Sequence, residues 1–238
     1  MLLKRHGIER QVVSCFEGNE ATRAAELITR VVAGERVALI SEAGTPGVSD
    51  PGERLVARAV AAGVRIETIP GPSAAIAALV ASGLPTERFL FVGFPPRAEG
   101  ERQQSFARLR TLDATLVFYE APPRVGRTLS DLAATLGESR RAVVARELTK
   151  VHEEFVRGTL GELAARYADE PPRGEVTLLV EGAPAGAASE EPIDIDAAIR
   201  QALAAGKSPK EIAADLALRT GKPRRAIYQL AIALKGRD

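Results

Sequence analysis

Short apolar runs that end in glycine- or proline-bearing loops alternate with helical segments from Arg36 to Val180. Such alternation places the chain in the α/β class, with helices covering both faces of mainly parallel sheets. Arg36–Ile40 reads as a buried strand followed by a Gly/Pro loop. Asp50-Pro51-Gly52-Glu53 then opens a helix, with Asp50 as cap, Pro51 in the first turn and Glu53 completing a capping box. That helix stops at Gly63, and Val64–Ile69 is the next strand. Pro70-Gly71-Pro72 turns the chain, Ser73 caps a short helix Ala74–Ala81, and Phe89–Val92 is a further strand. Pro95-Pro96 and the polar residues after it mark a lobe boundary. A second series follows, with helices Arg102–Leu109, Val125–Leu136 and Leu160–Tyr167 and strands Thr115–Tyr119, Ala142–Arg146, Glu154–Val156 and Val176–Val180. The expected organisation is an N-terminal α/β lobe (1–94), a second α/β lobe (95–183), a linker (184–194) and a helical module (195–238).

The helical module has the clearest local signals. Asp196–Ala205 reads as a helix ended by Gly206. Ser208-Pro209-Lys210-Glu211 is a capping box with proline in the first turn, opening a helix to Thr220. After Thr220-Gly221-Lys222-Pro223 comes a third helix, Arg224–Leu234, with Ile227, Leu230 and Leu234 turned inward. Two helices, a tight turn and a basic third helix make a helix-turn-helix pattern. From Ile195 onward nine Lys and Arg face four acids, a net of +5, so the rest carries −4 of the chain's total of +1. A basic tail on a slightly acidic body suits a polyanionic partner. Lys222, Arg224 and Arg225 are placed to meet phosphates and Tyr228 to stack on a base. A solvated helix face with Tyr228 packed inward is the alternative.

The chemistry open to the chain is narrowed by what it lacks. One cysteine, Cys15, excludes an internal disulfide. With only His6 and His152 there is no Cys/His zinc site, and no acidic cluster suggests a magnesium site, so no metal is expected. No apolar run approaches the roughly 20 residues that span a bilayer, and the first residues form no signal peptide, so a cytoplasmic protein is expected.

Ser41–Gly52 lies where a strand ends and a helix begins, the edge at which ligands bind in open α/β sheets. It matches neither G-x-G-x-x-G nor G-x-x-x-x-G-K-[ST]. Pro70-Gly71-Pro72-Ser73 lies at the next strand end on the same edge. Either stretch alone also serves as a plain turn; two together favour a ligand site. Phe118-Tyr119-Glu120 and Arg146-Glu147-Leu148-Thr149-Lys150 end strands of the second series, the usual place for site residues, although surface ion pairs fall there too.

These loops, in this order, resemble the 16S rRNA (cytidine-2′-O)-methyltransferase family of the tetrapyrrole-methylase superfamily. The carriers are LISEAGTPGVSDPG (39–52), IPGPSAAIAA (69–78), SGLPTERFLFVGF (82–94), FYEAPPR (118–124), LGESRRAVVARELTK (136–150) and GEVTLLVE (174–181). The resemblance implies two α/β lobes plus the helix-turn-helix module, a homodimer, and S-adenosylmethionine held in a cleft between the lobes. It implies cofactor contacts on Ala43, Gly44, Thr45 and Pro46, on Gly71, Pro72 and Ser73, and on Tyr119 and Glu175. On the substrate side it implies Glu120, Arg146, Glu147 and Lys150, with Glu147, Lys150 or Glu120 taking up the proton and Arg146 meeting RNA. The implied substrate is a cytidine of 16S rRNA, free or in the small ribosomal subunit, methylated on its ribose 2′-oxygen. A tetrapyrrole methylase of the same fold, or an RNA-binding relative with a defective methylase lobe, are the rival readings. Glu42 stands where the family usually has aspartate, and Pro123 where it has histidine. The sequence also starts after the family's first strand and its A-E-D-T-R motif, so the N-terminal lobe is expected to be shortened, with an exposed apolar sheet edge.

Overall fold

The computed structural model describes residues 2–184, 194–220 and 222–235 and divides the chain into two compact units, Met1–Ala74 and Ala75–Asp238. In the first unit, helices α1 (Leu2–Arg5), α2 (Glu20–Val32) and α3 (Glu53–Ala61) are joined by long irregular stretches. Ala24 and Leu27 on one stripe of α2 pack against Leu55 of α3, with Leu39 and Val13 alongside. The start of α3 differs from the expected capping box. Gly52 occupies the cap position and neither Asp50 nor Glu53 caps the helix. Instead Glu20, at the start of α2, reaches across: its Oε1 accepts from the amides of Gly52 and Arg54, 2.9 Å each. The free amides of a helix N-terminus need an acceptor, and a carboxylate from a neighbouring helix also complements the dipole. Gly52 has φ 138°, and a Cβ there would stand 2.6 Å from the Leu39 side chain, so the turn closes only on glycine.

Arg36–Ile40 and Val64–Ile69 do not form strands, and Val37, Ile40, Ile66 and Ile69 are exposed. A strand exists through the ladder it makes with a neighbour. Among the described residues of this unit no such ladder forms.

The second unit holds α4 (Ala74–Ser82, from Ala75 on), β1 (Phe89–Gly93), α5 (Glu99–Ala107), β2 (Thr115–Glu120), a 3-10 turn at Pro122–Arg124 and α6 (Val125–Leu136). Next come β3 (Arg141–Arg146), β4 (Glu154–Thr159), α7 (Leu160–Arg166) and β5 (Val176–Val180). The sheet runs β1-β2-β5-β3-β4. Only β1 and β2 pair in parallel; β2–β5, β5–β3 and β3–β4 are antiparallel. The expected mainly parallel sheet is thereby corrected. The cause is that β3 returns at once as the hairpin partner β4, while β5 slots back between β2 and β3. Phe89–Gly93 joins this same sheet, across Pro95-Pro96.

Period-two alternation divides the sheet between two apolar layers. Leu116, Phe118, Val144, Leu178 and Val180 pack with Phe106, Leu129, Leu132 and Leu160 from α5, α6 and α7. Val117, Val143, Ala145 and Leu179 face α4 through Ala75, Ala78 and Leu79.

Helices α8 (Ile195–Ala204), α9 (Pro209–Thr220) and α10 (Arg224–Lys235) close around Ile199, Ile212, Leu216, Ile227 and Ala231, and α9 lies against α5. The Ser208–Glu211 capping box forms in both directions. Ala231 rather than Leu230 completes the buried stripe of α10, because the stripe runs at i, i+4 from Ile227, and Leu230 is exposed. Gly221 and all of the expected linker but Pro184 and Asp194 lie outside the described residues.

Candidate active site

In the first unit the two glycine loops meet. Thr45 Oγ1 donates to the carbonyl of Pro72 at 2.9 Å, tying Ala43–Pro46 to Gly71–Ser73 across 27 residues of chain. Gly44 and Gly47 stand at φ 71° and 80°, and the Ser41 hydroxyl both donates to and accepts from the backbone of Ala43. The result is a loop whose backbone is open to solvent at Ala43, Gly44 and Thr45.

In the second unit one edge of the sheet gathers the remaining residues. Register pairs Glu120 with Val176 and Val176 with Arg146, so the ends of β2 and β3 and the start of β5 lie side by side. Tyr119 sits between the rings of Phe91 and Phe94, 4.9 and 5.7 Å between centroids, and its hydroxyl accepts from the amide of Ala75 at 3.2 Å. Arg157 of β4 donates to the carbonyls of Ala81 and Ser82. Helix α4, which continues directly from the Pro70–Ser73 loop, is thus held at both ends by side chains from the sheet.

Glu147, Lys150 and Glu175 form a closed triangle. The Lys150 ammonium donates to Glu147 and to Glu175 at 2.9 Å each, and the Glu175 amide donates to the Glu147 carboxylate at 2.9 Å. Glu147 and Thr149 take positive φ, 51° and 65°, to fit this tight loop. A Cβ on Gly174 would fall 2.2 Å from Glu147 Oε1, so glycine there makes room for the carboxylate. The Glu175 amide first, and Lys150 second, hold the Glu147 carboxyl below its usual range, while Glu147 and then Glu175 raise the Lys150 ammonium above its own. Both shifts favour the charged forms, a carboxylate on Glu147 and an ammonium on Lys150.

Two site expectations change. Glu120 is 2% exposed and fully engaged: Oε2 accepts from Thr128 at 2.7 Å, Oε1 from the Ala121 amide at 2.8 Å, and Arg124 lies 3.3 Å away. Buried with three partners, Glu120 braces the turn into α6 and is not open to the sheet edge. Arg146 is paired with Glu154 across the β3–β4 hairpin at 2.6 Å rather than presented alone to RNA. Lys222, Arg224 and Arg225 are exposed, and Tyr228 is 41% exposed, outward rather than packed inward.

Three charged residues, Glu20 in the first unit and Arg102 and Arg124 in the second, have structural roles that the sequence did not signal. Glu20 caps α3, and Arg102 and Arg124 grip the chain after β1; all three are charged residues in helical or loop sequence, which read as solvated. A cavity of about 650 Å³ lies at the opposite edge of the sheet, near Arg88, Arg140 and Glu181, and none of the expected site residues lines it. Among the described residues no three metal-binding side chains come together. No helix among them is long and apolar enough to cross a membrane.

Residues 3–164 match the family model for tetrapyrrole (corrin/porphyrin) methylases. The chain is 44% identical over 236 residues to the ribosomal RNA small subunit methyltransferase I of Mesorhizobium japonicum, covering 99% of this chain and 79% of that protein. It is 46% identical over 231 residues to the protein of the same name from Xylella fastidiosa, covering 95% and 83%. The solved structure of the methyltransferase CobJ superposes with a TM-score of 0.50 at 25% identity, over 69% of this chain and 72% of that one. The chain belongs to the tetrapyrrole-methylase family, in the group whose curated members are named ribosomal RNA small subunit methyltransferase I.

Proposed function

We propose that the chain methylates small-subunit (16S) rRNA with S-adenosylmethionine as donor, and that its target is the ribose 2′-oxygen of a cytidine. The observation that carries this reading is its 44–46% identity, over nearly the whole chain, to proteins named for methylating small-subunit rRNA. S-adenosylmethionine would supply a sulfonium methyl: the C–O bond would form in line as the C–S bond breaks, a neutral thioether would leave and the hydroxyl proton would pass to solvent water.

The residues present fit that donor. Ala43–Pro46 offers exposed backbone and a small hydroxyl, and a Cβ at Gly44 would point into open space, where a bulkier residue would crowd a ligand. Gly71, Pro72 and Ser73, tied to Thr45, extend that surface. Lys150, fixed between Glu147 and Glu175, serves as the fixed positive charge that stabilises the oxygen as its proton departs. Glu147 and Glu175 position it, and the alignment of hydroxyl and methyl supplies much of the rate. Lys222, Arg224 and Arg225 hold phosphates of the RNA and Tyr228 stacks on a base. An rRNA substrate places the protein in the cytoplasm. Exposed Ile76 and Val80 on α4, with Phe89 on the same side of the edge strand β1, supply an apolar face suited to a homodimer.

Calorimetry with S-adenosylmethionine, followed by methyl transfer to unmethylated small subunits, tests the reading. The expected result is saturable binding and one methyl per subunit on a cytidine 2′-oxygen, with rRNA affinity falling steeply as salt rises. A folded protein that gives no heat with the donor overturns it.

A further inference from the structure

Phe94 is the large aromatic side chain that β1 delivers to the edge carrying Tyr119 and Lys150, and it is 56% exposed. Its orientation is built. The β1–β2 register shifts between Phe91 and Gly93, and Gly93 takes φ 76°, a bulge that turns the following residue outward. One side of the Phe94 ring leans on Tyr119, with centroids 5.7 Å apart.

The backbone beyond it is gripped by two arginines. Arg124 donates to the carbonyls of Pro95 and Pro96 at 2.7 and 3.0 Å. Arg102, 1% exposed, donates to those of Pro96 and Arg97 at 3.3 and 3.0 Å. Each arginine is itself anchored: Arg102 by Asp131 at 2.7 Å, Arg124 by the buried Glu120. Placing two guanidinium groups, one of them fully buried, on three successive carbonyls is costly unless their geometry matters. What they fix is the position of an exposed, flat, apolar ring at the site edge.

We propose that Phe94 is the stacking platform for the nucleobase of the substrate nucleotide, and that Arg124 and Arg102 are positioning residues that hold it there. This rests on the rRNA-methylating reading above. A base splayed from RNA needs an open aromatic face beside the reaction centre, whereas a small cofactor is mostly enclosed by its pocket.

Phe94→Leu keeps an apolar side chain and removes the flat face; Phe94→Tyr keeps the face. The readouts are KM for unmethylated small subunits, kcat, and S-adenosylmethionine affinity. Phe94→Leu is expected to raise the KM for subunits about 10-fold with donor affinity unchanged, and Phe94→Tyr to restore it. Arg124→Lys, which keeps the charge facing Glu120 but loses the fork, is expected to raise the same KM by less. If Phe94→Leu methylates with the wild-type KM, or if it weakens the donor instead, the stacking assignment is overturned while the methylating reading stands. No methyl transfer by the unaltered chain brings down both.

Discussion

The two units contain similar apolar runs and use them differently. In β5, Val176–Val180 is buried along its whole length, with a hydrogen-bonded strand on either side and an apolar layer on each face. In the first unit, Arg36–Ile40 and Val64–Ile69 have the same strand-like composition, make no ladder, and expose Val37, Ile40, Ile66 and Ile69. The unit is held by α2 and α3, by the Glu20 carboxylate and by the Thr45–Pro72 bond instead. An apolar run thus states what a segment can become; the neighbours beside it decide whether it does. Stability is therefore concentrated in the sheet, while the glycine loops hang on a few polar ties.

The sharpest way to break that contrast is to cut the same amount from each side. Leu178→Ala, at a position with no exposure between two apolar layers, is expected to cost about 3 kcal/mol. In a chain of this length that corresponds to roughly 10 °C in Tm. Val37→Ala should cost less than about 0.5 kcal/mol. Urea unfolding of both variants measures the difference, and equal losses would mean that 36–40 is as well packed as β5.

A smaller but more specific effect is expected at the sheet edge. Lys150→Met should lower kcat about 100-fold with little change in rRNA affinity, as removal of one preorganised donor to a developing charge does. The pH dependence follows from the directions of the shifts. The Glu147 carboxyl is depressed, so its contribution is present above its ordinary value of 4.5 and is lost as pH falls through its lower folded value. The Lys150 ammonium is raised, so its contribution is complete below 10.5 and is lost only as pH rises beyond that. Between those limits neither Glu147 nor Lys150 titrates, and the methyl-transfer rate should show no break near neutrality that Glu147→Gln removes. Such a break would make Glu147 the proton acceptor.

Next in size is the tie that orders the glycine loops. Glu20→Ala removes the acceptor for the Gly52 and Arg54 amides and should cost about 1 kcal/mol. Glu20→Gln, which keeps an acceptor oxygen, should cost less. Hydrogen exchange at Gly52 and Arg54 is expected to quicken in Glu20→Ala while exchange in β5 stays unchanged. Protection retained at Gly52 would show that the loop is held by something other than Glu20.

What the sequence disclosed follows the same division. Local signals carried through: the Ser208–Glu211 box and the bounds of Val125–Leu136 and Val176–Val180 each depend on residues within a few positions. Non-local partnerships did not. The insertion of β5 between β2 and β3 and the Glu20 cap on α3 join residues that no short window contains, and the burial of Glu120 depends on how the sheet packs even though Ala121, Arg124 and Thr128 are close in sequence. Glu120 shows the cost of this most plainly. As a carboxylate at a strand end it is indistinguishable in sequence from Glu147, yet one is enclosed by Thr128, Ala121 and Arg124 and the other faces Lys150 at the open edge.

The smallest expected effect is also a direct test of how the first unit is held. Ile69 ends an apolar run and immediately precedes the Pro70–Ser73 loop, so by sequence it belongs to a core strand. It is 86% exposed. A side chain that leaves so little surface in contact loses almost no burial on truncation, and Ile69→Thr should change stability by less than about 0.5 kcal/mol. The loop beside it is tied through Pro72 to Thr45, not through Ile69, so donor affinity should also stay at the wild-type value. A loss of 2 kcal/mol or more, read by urea unfolding, would mean that Ile69 is covered in solution and that the strand-like run has found a partner.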